Sequence, residues 1–235
     1  MKRIIIILAL PLFFACILCS CKKRNMSEVE LEQVVFYEIF PLIMDSIYYD
    51  SRLIPPPPPR DFLKRREGKD EISYEKEYEK KMRDWGKKKD SIKQDSASIY
   101  LIVNDSINNY KREDLNELLE HFKGQNIVIG SSENVELNKG YKIDLRKLKT
   151  NYDRLEFKYR SQFPKGRELW RTEYDFYIGA SIEFSRILFD ETKSYGVLNV
   201  GYTTGVLSGH GVKIFIKKNG KGKWNIDRII GTWIS

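Results

Sequence analysis

The sequence has very little cysteine. Cys16, Cys19 and Cys21 are all of it, and they sit within the first 21 of 235 residues. Residues 22–235 therefore cannot supply a thiol nucleophile, a cysteine-ligated zinc site or an intrachain disulfide. An exported domain without disulfides must be held by its core alone. Histidine is nearly as scarce, with His121 and His210 only. No His-x₃-His spacing occurs, so a histidine zinc site would need carboxylates from distant segments. Gly-x-Ser-x-Gly is absent, which removes the nucleophile elbow of a serine hydrolase. No glycine-rich loop opens a helix in the phosphate-cradling pattern. Nothing repeats with a 20–50 residue period, which excludes solenoids and propellers. No cofactor is implied by any of these patterns.

What is present begins with a leader. Lys2 and Arg3 precede an apolar run from Ile4 to Leu18, broken only by Pro11. This is the layout of an export signal, and it is short of the roughly 20 residues a membrane span needs. Leu18-Cys19-Ser20-Cys21 resembles the bacterial lipobox, Leu-x-(small)-Cys. The resemblance implies removal of residues 1–20 and acylation of Cys21, with the membrane as a partner through that residue. Acyl chains contribute about 0.8 kcal/mol per buried CH₂, and more than one makes anchoring stable. The basic Lys22-Lys23-Arg24 then favours anionic headgroups. Acidic residues after the cysteine accompany surface export in Bacteroidota-type lipoproteins. This basic tether implies instead an outer-membrane protein facing the periplasm.

The formal charge is +8, from 41 Lys+Arg against 33 Asp+Glu. Most of the excess that survives loss of the leader lies in residues 151–235. Export argues against nucleic acid as the natural partner of this basic chain.

Four segments follow from the pattern. Residues 1–20 are the signal peptide. Residues 21–59 form an acylated tether with a helix and a polyproline spacer. The helix opens on the capping box Ser27-x-x-Glu30 and should break at Pro41, with a second piece near 42–49. Pro55 to Pro59 make a stiff polyproline II spacer. Residues 60–97 are a charged amphipathic helix, with i,i+4 pairs Glu77–Lys81 and Glu79–Arg83 and a stripe of Tyr74, Tyr78, Met82 and Trp85. Residues 98–235 form an α+β domain.

Within that domain, strands are expected at 99–103, 126–129, 141–145 and 156–159, and a helix over 112–122. The C-terminal half reads as an antiparallel β-meander with N-terminal helices packed against it. A switch of apolar parity near Ser185-Arg186 predicts a β-bulge. The three glycines of 203–211 predict a loop, and Asn219-Gly220 a hairpin turn.

The last third is similar to a module of uncharacterised Bacteroidota lipoproteins. The likeness rests on the stretch from Ser181 through Ser185-Arg186 to Phe189, the Gly201–Gly211 segment, Lys223-Trp224-Asn225-Ile226 and the final Thr232-Trp233-Ile234-Ser235. Similar proteins often carry two cysteines in the glycine segment, where this chain has Thr204 and Ser208. The closing hairpin is also similar to that of NTF2-like domains. Neither resemblance implies an activity.

The candidate ligand-binding residues are Arg154, Lys158, Arg160, Trp170 and His210. In 152–171 basic groups interleave with aromatics, which suits an anionic glycan or lipid; a solvated surface strand gives the same pattern. His210 sits between Gly209 and Gly211, where a functional loop would place it. Asp-Ser-(Ile/Ala) recurs at Ser46, Ser91, Ser96 and Ser106. It resembles the O-glycosylation acceptor of exported Bacteroidota proteins, and local capping by Asp and Ser explains it equally. Three functions stay open. The first is a lipid-anchored, non-catalytic binding module contacting an anionic glycan, a lipid or an envelope protein. The others are a periplasmic hydrolase using carboxylates with His210, and an immunity-type protein.

Overall fold

The computed structural model describes residues 26–58, 71–111, 113–129 and 140–235. The leader, Cys21, the basic tether, Pro59 and residues 60–70 lie outside the described residues.

Helix α1 (Glu28–Ile47) starts on the expected capping box. The Ser27 N–H donates to Glu30 Oε2 at 2.9 Å, and the Glu30 N–H donates to Ser27 Oγ at 3.2 Å. Val35, Phe36, Ile39, Phe40, Ile43, Met44 and Ile47 recur at helical spacing and are buried. The expected break at Pro41 does not occur, because α1 runs straight through it. A proline inside a helix costs about 3 kcal/mol. Full burial of an aliphatic or aromatic side chain returns about 1.5–3 kcal/mol. Phe40, Ile43, Met44 and Ile47 together outweigh the one lost hydrogen bond.

Helix α2 (Glu71–Gln94) carries the expected pairs, Lys81–Glu77 at 2.9 Å and Arg83–Glu79 at 3.5 Å. Tyr78, Met82 and Trp85 are half-buried and Ile92 is buried; the Tyr74 side chain lies outside the described residues. Helix α3 (Glu113–His121) buries Leu118.

The fold is α+β with one mixed seven-stranded sheet. The strands are β1 (Ile99–Val103), β2 (Leu155–Tyr159), β3 (Tyr177–Phe184), β4 (Leu188–Phe189), β5 (Tyr195–Gly205), β6 (Ser208–Lys218) and β7 (Trp224–Ile234). Their order is β2-β1-β3-β5-β6-β7, with β4 paired to β5. The meander β3-β5-β6-β7 is antiparallel as expected. β1 adds a parallel half, pairing parallel to both β2 and β3. Its Leu101, Ile102 and Val103 are fully buried, as in a strand covered on both faces.

One face of the sheet packs on α1. Phe36 meets Phe184 at 5.1 Å and Phe40 meets Phe157 at 5.5 Å, edge to face. The opposite face has two covers. Over β4, β5 and β6, Leu118 and Phe122 pack on Leu188, Val197 and Phe215. Over β1, Phe163, Tyr174 and Phe176 form an aromatic group with Tyr100.

Three expectations are corrected. Residues 126–129 are irregular rather than a strand; the Val128 carbonyl accepts from Glu191 N–H at 2.7 Å while Ile127 and Ile129 pack on the α3 cluster. Residues 141–145 give one bridge, Lys142 to Ser106, before a 3₁₀ turn over Leu145–Lys147 capped by Asp144. Segment 203–211 is the end of a tight β5–β6 hairpin, not a loop. Gly211 supplies room rather than turn freedom: a Cβ there would stand 2.0 Å from Trp233 Nε1, and at Gly201, just before the segment, one would stand 2.7 Å from Glu183 Oε1. The indole and the carboxylate thus lie flat across the strands.

The parity switch at Ser185-Arg186 is present, but as a break between β3 and β4 rather than the expected β-bulge. Ile187 faces α1 and Leu188 faces α3, with β3 ended and β4 begun around them. Arg186 turns inward there to meet Glu32 of α1. Its Nε and Nη2 donate to Glu32 Oε2 at 2.9 and 2.5 Å, and the Ile187 N–H donates to Glu32 Oε1 at 2.9 Å.

Candidate functional site

Pairing register decides which side chains share a face. Ser181 pairs with Thr203, and Ile182 with Tyr202. Ile182 and Tyr202 are buried toward α1, so Ser181, Glu183 and Thr203 point to the opposite face. They floor a recess of about 270 Å³, walled by Asn104, Arg160, Gly166, Leu169 and Trp170. Asn104, Arg160 and Gly166 also line an adjoining recess of about 470 Å³ with Asp105, Ser161, Phe163 and Lys165. The two make one groove, open between the covers of that face.

Local structure fixes its walls. Arg160 braces the covering segment, its Nη1 donating to the Phe163 carbonyl at 3.2 Å and Nη2 to the Gly166 carbonyl at 3.4 Å. Gly166 has φ +59°, a turn that favours glycine, and Gly166–Trp170 is a 3₁₀ turn that carries Trp170. Asp105 accepts from the Ser161 N–H at 2.9 Å and hydroxyl at 2.7 Å. Desolvation opposes its ionisation, but those bonds and Lys142 outweigh it and hold the carboxyl below its ordinary value. Asn104 Nδ2 donates to Glu183 Oε2 at 3.3 Å. The groove thus offers two carboxylates, two cations, an amide, hydroxyls and an indole.

Of the residues singled out from sequence, Arg160 and Trp170 meet here. Lys158 is on the same face but lies over the rings of Tyr100 and Phe176, at 4.5 and 5.2 Å. Arg154 serves the fold. It donates to the carbonyls of Ile92 and Ala97 at 3.2 and 3.0 Å and pairs with Asp95, closing the end of α2. His210 is across the sheet. It pairs with Tyr202 in register and packs against the rings of Tyr49 and Tyr202, at 6.3 and 5.3 Å. Ser46, Ser91, Ser96 and Ser106 are all exposed, and Ser46 Oγ donates to the Leu42 carbonyl.

No protein-family model, curated protein or solved structure matches the chain.

His121 has a partner that sequence did not suggest. Its Nε2 lies 2.7 Å from Asp227 Oδ2, and its ring stacks on Phe215 at 4.0 Å. The sequence reading also missed Asn104, Asp105, Ser181, Glu183 and Thr203. Asn104 and Asp105 directly follow a buried parallel strand, and such carboxyl ends are where open sheets take ligands. That was the available signal. Among the described residues, no three His, Cys, Asp or Glu side chains gather to hold a metal ion, and no helix is long and apolar enough to cross a membrane.

Proposed function

We propose that this protein is a lipid-anchored, non-catalytic binding protein of a bacterial envelope, held by acylated Cys21 at the outer membrane and facing the periplasm. Its ligand surface is the groove of Asn104, Arg160, Trp170, Ser181, Glu183 and Thr203. The observation that carries the binding reading is their convergence on one open recess from four separate segments. The ligand chemistry that fits is a glycan with hydroxyls, amides and carboxylates. Glu183 and Asp105 accept from hydroxyl or amide groups, Arg160 and Lys165 receive a carboxylate, and Trp170 packs on a sugar face. The anchored, exported setting rests on the resemblance of Leu18–Cys21 to a lipobox. The hydrolase reading needs His210 beside a carboxylate, and the groove lies on the other face of the sheet.

The test is calorimetric titration of the mature protein with a muropeptide mixture, a carboxylated glycan. Arg160→Ala together with Trp170→Ala should weaken binding by tenfold or more, about 1.4 kcal/mol. His210→Ala should leave it unchanged. Equal loss in both variants, or no binding by the parent, sinks the groove as the ligand surface.

A further inference from the structure

The β6–β7 turn carries Lys218, Lys221 and Lys223 within six residues. Asn219 builds the turn by accepting the Lys221 and Lys223 N–H groups at 2.9 and 3.1 Å; Lys221 and Lys223 are exposed on that frame, while half-buried Lys218 has its Nζ 5.1 Å from the centre of the Trp224 ring. Lys218 and Lys221 flank Gly220, whose surroundings are open. Among the described residues none of the three lysines has a carboxylate in ion-pair reach. This contrasts with Lys217, paired to Asp227, and Lys193, paired to Glu28 at 3.2 Å.

The acidic groups at this end of the sheet are engaged. Glu28 holds Lys193, Glu30 closes the capping box, and Asp190 accepts the N–H groups of Thr192, Ser194 and Tyr195. Glu191 is exposed there, and the exposed Glu38 of α1 accepts the Trp224 N–H at 3.0 Å beside Lys223.

Topology places this turn at the end of the sheet where α1 begins. The Lys218 N–H donates to the Ser194 carbonyl, so the β6–β7 and β4–β5 turns share one end of the sheet. Glu28, the first residue of α1, is tied to Lys193 in the β4–β5 turn. The described chain begins two residues before Glu28, at Met26. Thr203 in the groove is nine strand positions further along, about 30 Å at 3.3 Å per residue. The hairpin tip at Val206-Leu207 lies beyond it.

We propose that the lysines of the β6–β7 turn form a second, headgroup-level contact with anionic lipid, which stands the domain on its tether end and holds the groove about 30 Å from the bilayer. This rests on the anchored reading. The acyl chains supply attachment, and the fixed lysines supply orientation. Each lysine near an anionic surface contributes about a fivefold factor in partition.

The Cys-free body makes the test clean. Single cysteines at Gly220→Cys or Leu207→Cys carry a fluorophore on the mature protein bound to vesicles. The vesicles are phosphatidylcholine with or without phosphatidylglycerol, and nitroxide-headgroup lipid is the quencher. Position 220 should be quenched several-fold more than 207, only with phosphatidylglycerol, and less so in high salt. Lys218→Gln, Lys221→Gln and Lys223→Gln combined should abolish the difference, while circular dichroism confirms an unchanged fold. Equal quenching at both positions, or indifference to phosphatidylglycerol, overturns the proposal. Failure of the anchored reading is read separately, as an intact mass without acyl chains. In that case vesicle concentration is raised, because headgroup contact by the lysines needs no acyl chain.

Discussion

The buried pair Glu32–Arg186 gives the sharpest test of how α1 is fixed to the sheet. Their side chains are 2% and 1% exposed, and three hydrogen bonds converge on one carboxylate. Glu32→Gln takes from a buried guanidinium the carboxylate to which its Nε and Nη2 donate, at a cost of about 3–5 kcal/mol. For a chain of this size that lowers Tm by roughly 6–20 °C. Arg186→Met costs a similar amount at neutral pH, with a different pH dependence. Burial pushes the Glu32 carboxyl above its ordinary 4.5, against the pull of Arg186 and the Ile187 N–H. A carboxyl raised in the folded state contributes stability below its unfolded pKa and loses it as pH rises through the folded one. The Arg186→Met deficit should therefore shrink as pH falls toward 4.5, because protonated Glu32 is no longer a buried charge. The Glu32→Gln deficit should not shrink, since arginine stays charged. The double variant Glu32→Leu/Arg186→Met should cost clearly less than the two single costs summed, because neither charge is then left facing a lost partner. Urea unfolding followed by tryptophan fluorescence measures all four proteins. If the single costs simply add in the double variant, the pair is not a coupled unit and the reasoning fails.

Two further outcomes follow from local geometry. Gly211→Ala must push the Trp233 indole off β6, costing about 1–3 kcal/mol with a red-shifted tryptophan emission, whereas Gly220→Ala, with nothing within 4 Å, should be near neutral. Lys217 holds the Asp227 carboxyl below its ordinary value against desolvation, with His121 adding to it. Its contribution is present above the unfolded 3.8 and lost as pH falls through the depressed folded value. Asp227→Asn should flatten that acid limb of the urea midpoint by under about 1 kcal/mol, since Lys217 is half exposed.

Signals confined to a few neighbouring residues were legible in the sequence. The capping box at Ser27, the Glu77–Lys81 and Glu79–Arg83 pairs of α2, the parity switch at Ser185-Arg186 and the Asn219-Gly220 turn all depend on residues within a turn or two. Strand direction is not such a property. β1 reads as a compact apolar strand either way, and only its pairing with Leu155 and Tyr177 makes it parallel. Glycine misled for a related reason. At Gly211 the cause is a side chain from another strand crossing overhead, and no local pattern announces Trp233 there. Pro41 misled because local cost was weighed without the tertiary burial that exceeds it.

The candidate site shows the same division more sharply. Arg160 and Trp170 were found because aromatic and basic residues interleave locally. His210 drew notice for lying in a glycine-rich stretch, and Arg154 for belonging to a basic one. Register then separates them. Tyr202 faces α1 and Thr203 faces the groove, so His210, opposite Tyr202, is one strand position from the groove side and on the wrong face of it. Arg154 precedes β2 and is consumed by the end of α2, whereas Arg160 follows β2 and reaches the groove. Both ends of one five-residue strand thus carry an arginine, and the parallel β1–β2 pairing settles which serves the fold and which serves the surface. A sequence search for this groove would therefore look past charge and aromatic density. It would seek polar residues at the carboxyl end of a doubly buried strand, which here are Asn104 and Asp105.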